Sequence, residues 1–131
     1  DLDHFKQIND THGHLPGDHA LKMTAQAIAA HTRRSDIVFR YGGEEFMVFM
    51  PEIGAEDVVQ RADYICRMVD DLVIEFENQL IHVSASIGIA VYPLHGSSGD
   101  EILSRADTAL YHAKKTGRNR VVLYTPDLKN E

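Results

Sequence analysis

The sequence predicts an α/β domain in which helices pack on a central, mostly antiparallel sheet. Three observations carry that expectation. Two short β-branched and aromatic runs, Ile37 to Phe39 and Phe46 to Met50, flank a glycine pair and read as a hairpin. Ile81, Val83, Ala85, Ile87, Ile89 and Val91 alternate at strand period. Their neighbours His82, Ser84, Ser86, Gly88 and Ala90 are mostly small rather than charged, which suits a strand covered on both faces. Three further stretches repeat apolar residues at helical spacing.

The elements follow in order. Asp1 and Asp3 are two apart and share a face if they end a strand. Phe5 and Ile8 can pack inward in a helical turn, which leaves Lys6 and Asn9 free. Two glycines and a proline between Asp10 and Asp18 mark a loop. Leu21, Ala25 and Ile28, with Thr24 and Thr32 beside them, predict a helix near residues 17–33, and Asp18 suits its N-cap. The hairpin comes next, with its tip at Gly42 and Gly43, because glycine accepts positive φ without steric cost. Pro51 and Gly54 end its second strand. Val58, Ala62, Ile65, Cys66, Val69 and Leu72 predict a helix over 55–73. The alternating run over 81–91 is the next strand. Ser98 and Glu101 have the spacing of a capping box. They open a helix carrying Ile102, Leu103, Ala106, Ala109, Leu110 and Ala113, which Gly117 stops. Val121 to Tyr124 form a last strand. A further strand is expected before Asp1, which begins inside a motif. Residues 1–125 make one domain, and 126–131 a tail that frays after Pro126.

Composition sets outer bounds. A chain of 131 residues can bury one real core. No apolar run approaches the roughly 20 residues of a membrane span, and no secretory segment opens the chain. Cys66 is the single cysteine, so an internal disulfide is excluded and a reducing compartment fits. The net charge of −7 argues against nucleic acid as a partner. It leaves room for a local basic pocket at Lys114, Lys115, Arg118 and Arg120. His4, His12, His14 and His19 cluster in sequence. They lack a nearby cysteine and the His-Glu-x-x-His spacing, which argues against zinc. His14 reads as a buttress of its loop.

The hairpin tip carries two acids, Glu44 and Glu45, beside bare backbone. Such a turn could hold a nucleotide and a hard cation, but an ordinary surface hairpin has the same pattern. The wider constellation is more specific. Asp1 to Asp10, Gly13-His14, Gly17-Asp18, Arg40-Tyr41-Gly42-Gly43-Glu44-Glu45-Phe46, Ser86 to Gly88, Ala106-Asp107 and Lys114 to Asn119 follow one another in order. Together they resemble the GGDEF-domain diguanylate cyclases, with the signature spelled Gly-Gly-Glu-Glu-Phe. The resemblance runs from Asp1 to about Tyr124.

That resemblance implies a ferredoxin-like core related to the polymerase palm and the nucleotidyl cyclases. It implies a nucleotidyltransferase that condenses two GTP into cyclic di-GMP and two pyrophosphates. Two Mg²⁺ or Mn²⁺ ions per active half-site would serve the attack of a 3′-hydroxyl on an α-phosphate. By the resemblance, Asp1, the Leu2 carbonyl and Glu44 hold metal, and Glu44 also acts in catalysis, supported by Glu45. Asn9 and Asp18 contact guanine, while Gly42 and Gly43 let it lie close. Lys6, Lys114 and Arg118 hold phosphates, the last two on one face of a final helical turn. Arg33 and Asp36 match an inhibitory site for the product.

One domain positions one GTP, so catalysis implies a homodimer with the sites face to face. The family also implies a preceding sensory or signalling module, and a cytoplasmic location with membrane attachment through upstream segments as an option. Residues 1–131 alone are therefore expected to fold or turn over poorly. The alternative function is a catalytically inactive module that binds GTP or cyclic di-GMP.

Overall fold

A computed structural model describes residues 1–128; residues 129–131 of the expected tail lie outside the described residues. The elements are α1 (Phe5–His12), α2 (His14–Ala30), β1 (Ile37–Arg40), β2 (Phe46–Phe49), α3 (Ala55–Asp70), β3 (Ile74–Phe76), β4 (Gln79–Ile81), β5 (Ser86–Ile89), α4 (Gly99–Lys115) and β6 (Arg120–Leu123).

The fold is α+β, and its strands form three two-stranded ladders among the described residues. β1 and β2 pair antiparallel, with Ile37 opposite Phe49 and Arg40 opposite Phe46. β3 and β4 also pair antiparallel. β5 and β6 run parallel, with Ser86 opposite Arg120. The predicted single sheet is thus broken into pieces, and the chain start links two of them. Leu2 N–H donates to the Glu44 carbonyl (3.1 Å), and Asp3 N–H to that of Ser84 (2.9 Å). Ser86 N–H donates to the Asp1 carbonyl (3.0 Å). Leu2 forms an antiparallel bridge with Ala85.

One core joins these layers. Leu2, Ile8, Leu21, Ile28, Ile65, Val69, Ile74, Ile81, Val83 and Ala85 are all buried within it. The helical periodicity places Leu21 and Ile28 on the inner side of α2, and Ile65 and Val69 on that of α3. Each such side chain contributes about 1.5–3 kcal/mol on burial.

Four boundaries differ from the sequence reading, each for a local reason. Residues 10–18 are helical apart from a break at Gly13 (φ 98°), whose N–H caps α1 on the Asn9 carbonyl (2.8 Å). Pro16 sits in the first turn of α2, where its missing N–H would have no helical partner. Asp18 is therefore inside the helix, and Gly13 holds the N-cap position. The second predicted helix stops at Asp70. The β3–β4 hairpin follows it, turning on Glu77 (φ 47°) and Asn78 (φ 66°), and three-residue strands leave little periodic signal. The run 81–91 divides between β4, the Leu2–Ala85 bridge and β5. Finally, the β1–β2 connection is the five-residue loop 41–45, and Gly42 and Gly43 do not take positive φ there.

α4 lies directly on β5 and β6. Ser98 caps its start, accepting from Glu101 N–H (3.2 Å). The Glu101 carboxylate reaches Ser97 rather than closing the box on Ser98. Where α4 crosses β5, a Cβ on Gly88 would penetrate the backbone at Ala106 and Leu110. Helix backbone cannot yield as a side chain can. Gly88→Ala is therefore expected to destabilise the chain by about 1–3 kcal/mol, read as a lower urea midpoint at unchanged slope.

Candidate functional site

The start of the chain and the hairpin tip form one site. The Leu2–Glu44 hydrogen bond brings the Asp1–Leu2 backbone against the tip. Glu44 and Glu45 lie in the loop rather than on a strand, so strand alternation does not separate them. Both carboxylates act electrostatically on the Asp1 nitrogen. The Asp1 side chain is 7% exposed and accepts a hydrogen bond from Lys114 Nζ at 2.9 Å. Asp1, Leu2, Glu44 and Lys114, expected to cooperate, are thus brought together.

A divalent cation fits this donor set by chemistry. Two carboxylates and a peptide carbonyl are hard oxygen donors, and Mg²⁺ needs few of them because it keeps several waters. Among the described residues no group of three or more His, Cys, Asp or Glu side chains forms a ready cage. A largely buried Asp1 carboxylate does need a positive partner, and here an ammonium supplies it.

Asp3 is a second buried acid near the start of the chain. It is 5% exposed. Its carboxylate accepts from Ser84 Oγ (2.7 Å), Ser86 Oγ (2.6 Å) and Asn119 N–H (3.0 Å). The signal was available in Ser84 and Ser86, two serines at strand spacing in an otherwise apolar run.

Arg118 lies beyond α4, so it does not share a helical turn with Lys114, contrary to expectation. Gly117 (φ 127°), Arg118 (φ 63°) and Asn119 (φ 47°) are all left-handed. Arg118 N–H returns to the Ala113 carbonyl (2.9 Å), the closure of a Schellman cap. Asn119 N–H on Asp3 then holds this turn against the chain start. Arg118 is half-buried, and Lys6 is exposed on α1.

On the other side of the tip, α2 and the β1–β2 hairpin enclose a cleft of about 620 Å³. Asp18, Leu21, Ala25, Val38, Arg40 and Phe46 contribute to its walls. Asn9 stands near this helix start. A Cβ on Gly17 would collide with Asn9 Oδ1, so the glycine makes room for the amide. That oxygen is buried with no hydrogen-bond partner. An unpaired buried acceptor costs about 1–3 kcal/mol, which a donor supplied by a ligand would offset.

The tip has open space. A Cβ on Gly43 would meet nothing within 4 Å, and one on Gly42 would meet Glu45 Oε2 at 3.4 Å. Arg40, absent from the predicted site, fixes the loop. Its Nε donates to the carbonyls of Gly42 (3.1 Å) and Gly43 (2.9 Å), and its Nη2 to that of Gly43 (2.6 Å). The glycines make space, and the arginine holds the shape.

Arg33 and Asp36 form a closed pair between α2 and β1. Asp36 accepts from Arg33 N–H (2.7 Å), Nε (3.0 Å) and Nη2 (2.9 Å). Arg33 Nη2 also donates to the Pro51 carbonyl (2.7 Å). The Asp36 side chain is fully buried, and that of Arg33 is 29% exposed. Burial pushes the Asp36 carboxyl up, but the Arg33 hydrogen bonds and charge outweigh it and hold it below its usual 3.8.

Residues 1–120 match the family described as diguanylate cyclase, GGDEF domain. Diguanylate cyclase A of Treponema denticola is 42% identical over 123 residues, covering 94% of this chain and 33% of that protein. The chain thus spans about a third of that relative's length. Its structure is similar to the GGDEF domain of PA1120 (YfiN or TpbB) from Pseudomonas aeruginosa. The TM-score is 0.93 at 36% identity, over 97% of this chain and 80% of the other. The GGDEF domain of DgcB from Caulobacter crescentus, solved in complex with c-di-GMP, superposes with a TM-score of 0.87 at 35% identity. It covers 94% of this chain and 73% of that one. No helix among the described residues is long and apolar enough to cross a membrane.

The Arg33–Asp36 pair sets an acid dependence. Asp36 has a depressed folded pKa, so its contribution is present above 3.8 and lost as pH falls through the folded value. Arg33→Ala strips both guanidinium bonds from the buried carboxylate and leaves it the backbone N–H of residue 33. It is expected to lower stability at pH 7 by about 1.5–3 kcal/mol. The deficit should shrink below pH 4, in urea titrations from about pH 3 to pH 7.

Proposed function

The chain belongs to the GGDEF domain family, and from that premise we propose that it is the synthetic domain of a diguanylate cyclase. It would join two GTP into cyclic di-GMP and release two pyrophosphates. The observation that carries this reading is the convergence of Asp1 and Leu2 with Glu44 beside an open glycine tip.

Asp1, Glu44 and the Leu2 carbonyl would hold Mg²⁺ or Mn²⁺. The bound ions would supply charge neutralisation for the leaving pyrophosphate and acidify the attacking hydroxyl. Glu44 stands ready to take up the 3′-hydroxyl proton, with Glu45 shaping the loop behind it. Asn9 and Asp18 read the guanine edge: the carboxylate accepts from N1–H and the 2-amino group, a donor pair that adenine lacks. Gly42 and Gly43 admit the nucleotide against the backbone. Lys6, Lys114 and Arg118 hold the triphosphate, Arg118 from a turn that Asp3 fastens.

One domain cannot present a second 3′-hydroxyl to its own GTP, so catalysis joins two copies about a two-fold axis. A signalling module elsewhere in a longer protein would govern that encounter, on the cytoplasmic side. Cyclic di-GMP would bind back at Arg33 and Asp36. The buried Asp36 aims the guanidinium, and the exposed part of Arg33 meets the phosphate or base. The DgcB domain, which was solved with c-di-GMP, supports a product-binding role for domains of this kind.

The test uses the protein that carries this chain, incubated with GTP and Mg²⁺ or Mn²⁺, with products separated and weighed. Cyclic di-GMP is expected, and Glu44→Gln should lower its rate of formation about 100-fold or more. Equal rates would remove Glu44 from the chemistry. GTP or cyclic di-GMP binding without synthesis would make the chain a regulatory module.

A further inference from the structure

We infer that Lys114 is an internal stand-in for the metal: its ammonium neutralises Asp1 until a cation arrives, and is then released toward the triphosphate. The inference rests on the metal assignment proposed above and extends it to how the site fills.

The Asp1 side chain is only 7% exposed, whereas that of Lys114 is 34% exposed. A buried carboxylate without a partner is costly, so it needs something positive beside it before any cation binds. Lys114 Nζ does so at 2.9 Å. A lysine suits a temporary partner. Its charge is compact and its stem flexible, and an arginine fork would commit more firmly. Lys114 also springs from the last turn of α4, where the helix dipole favours a cation in either position.

Two consequences follow from charge alone. A bare divalent cation must first displace the ammonium, so free metal binds weakly. A metal–triphosphate complex brings its own anion for Lys114, so the displaced charge gains a new partner in the same step. The site therefore selects the metal–nucleotide complex over the free ion. The backbone does not need to move, because the Asp3–Asn119 hydrogen bond already holds the α4 end against the chain start.

The experiment measures Mn²⁺ alone, without nucleotide, binding to the protein that carries this chain by electron paramagnetic resonance. Lys114→Met should bind Mn²⁺ about tenfold more tightly than the parent, equivalent to about 1.4 kcal/mol. Lys115→Met makes the same change in net charge away from Asp1, and should alter affinity by no more than about twofold. Asp1→Asn should remove the gain made by Lys114→Met. Circular dichroism melts check that each variant is folded. If Asp1→Asn weakens Mn²⁺ binding but Lys114→Met leaves it unchanged, the stand-in role fails while the metal site survives. If Lys115→Met strengthens binding as much as Lys114→Met, the effect is general electrostatics and the stand-in role also fails. If Asp1→Asn changes nothing in either background, the metal assignment itself falls.

Discussion

The buried carboxylate of Asp3 is the constraint on which the rest of the site depends. Three donors converge on it from three places: Ser84 before β5, Ser86 within β5, and Asn119 after α4. A charged acceptor strengthens each bond to about 1.5–3 kcal/mol, and a missing donor would leave a buried charge exposed to its full desolvation cost. The carboxylate therefore sets the relative position of the first residues, the central strand and the α4–β6 turn. Asp1 and Leu2, two of the three residues proposed to meet cations, lie just before it. Lys114 and Arg118, two of the three proposed to meet phosphate, lie close to Asn119 in sequence. A single anion fixes the separation of the two groups.

This arrangement explains an otherwise costly turn. Gly117, Arg118 and Asn119 are consecutive left-handed residues, and two of them carry side chains. Asparagine tolerates that conformation, while arginine gains nothing from it locally. The turn persists because its N–H groups are taken, one by the Ala113 carbonyl and one by Asp3. Strain in this turn is held by bonds at its edges. Gly88 shows the same economy in packing: a strand gives up a side chain so that α4 can approach and its C-terminal end can reach the site.

Much of this was legible in the sequence. The two hairpin strands, the capped start of α4 and the inner faces of α2 and α3 all follow from residue pattern and capping chemistry, although the hairpin's glycines do not take the positive φ expected of them. The convergence of Asp1 with Glu44 followed only from the ordered set of motifs, since the acids of the hairpin tip look locally like those of an ordinary surface turn. What escaped has physical causes. β3 and β4 are three residues long, too short for alternation to show. Pro16 and Gly17 looked like loop residues, although proline is compatible with a first helical turn and Gly17 is small to clear Asn9. Arg40 acts on main-chain carbonyls, which no side-chain pattern announces, and Asp3 is held by a distant N–H as well as by the two serines whose spacing hinted at it. Asp36 could be noticed as part of a motif, but its complete burial against Arg33, and the bond from Arg33 to the Pro51 carbonyl, required coordinates.

The arginine at the hairpin has one further consequence. A five-residue loop containing two adjacent glycines would ordinarily sample many shapes, and a ligand would have to select one. Arg40 ties the loop to itself through its own carbonyls, so that selection is already made when the chain folds. The ordering entropy, about 1–2 kcal/mol for each residue fixed, is charged to folding and not to the arrival of any ligand. The most glycine-rich point of the molecule is thereby among its better-prepared surfaces.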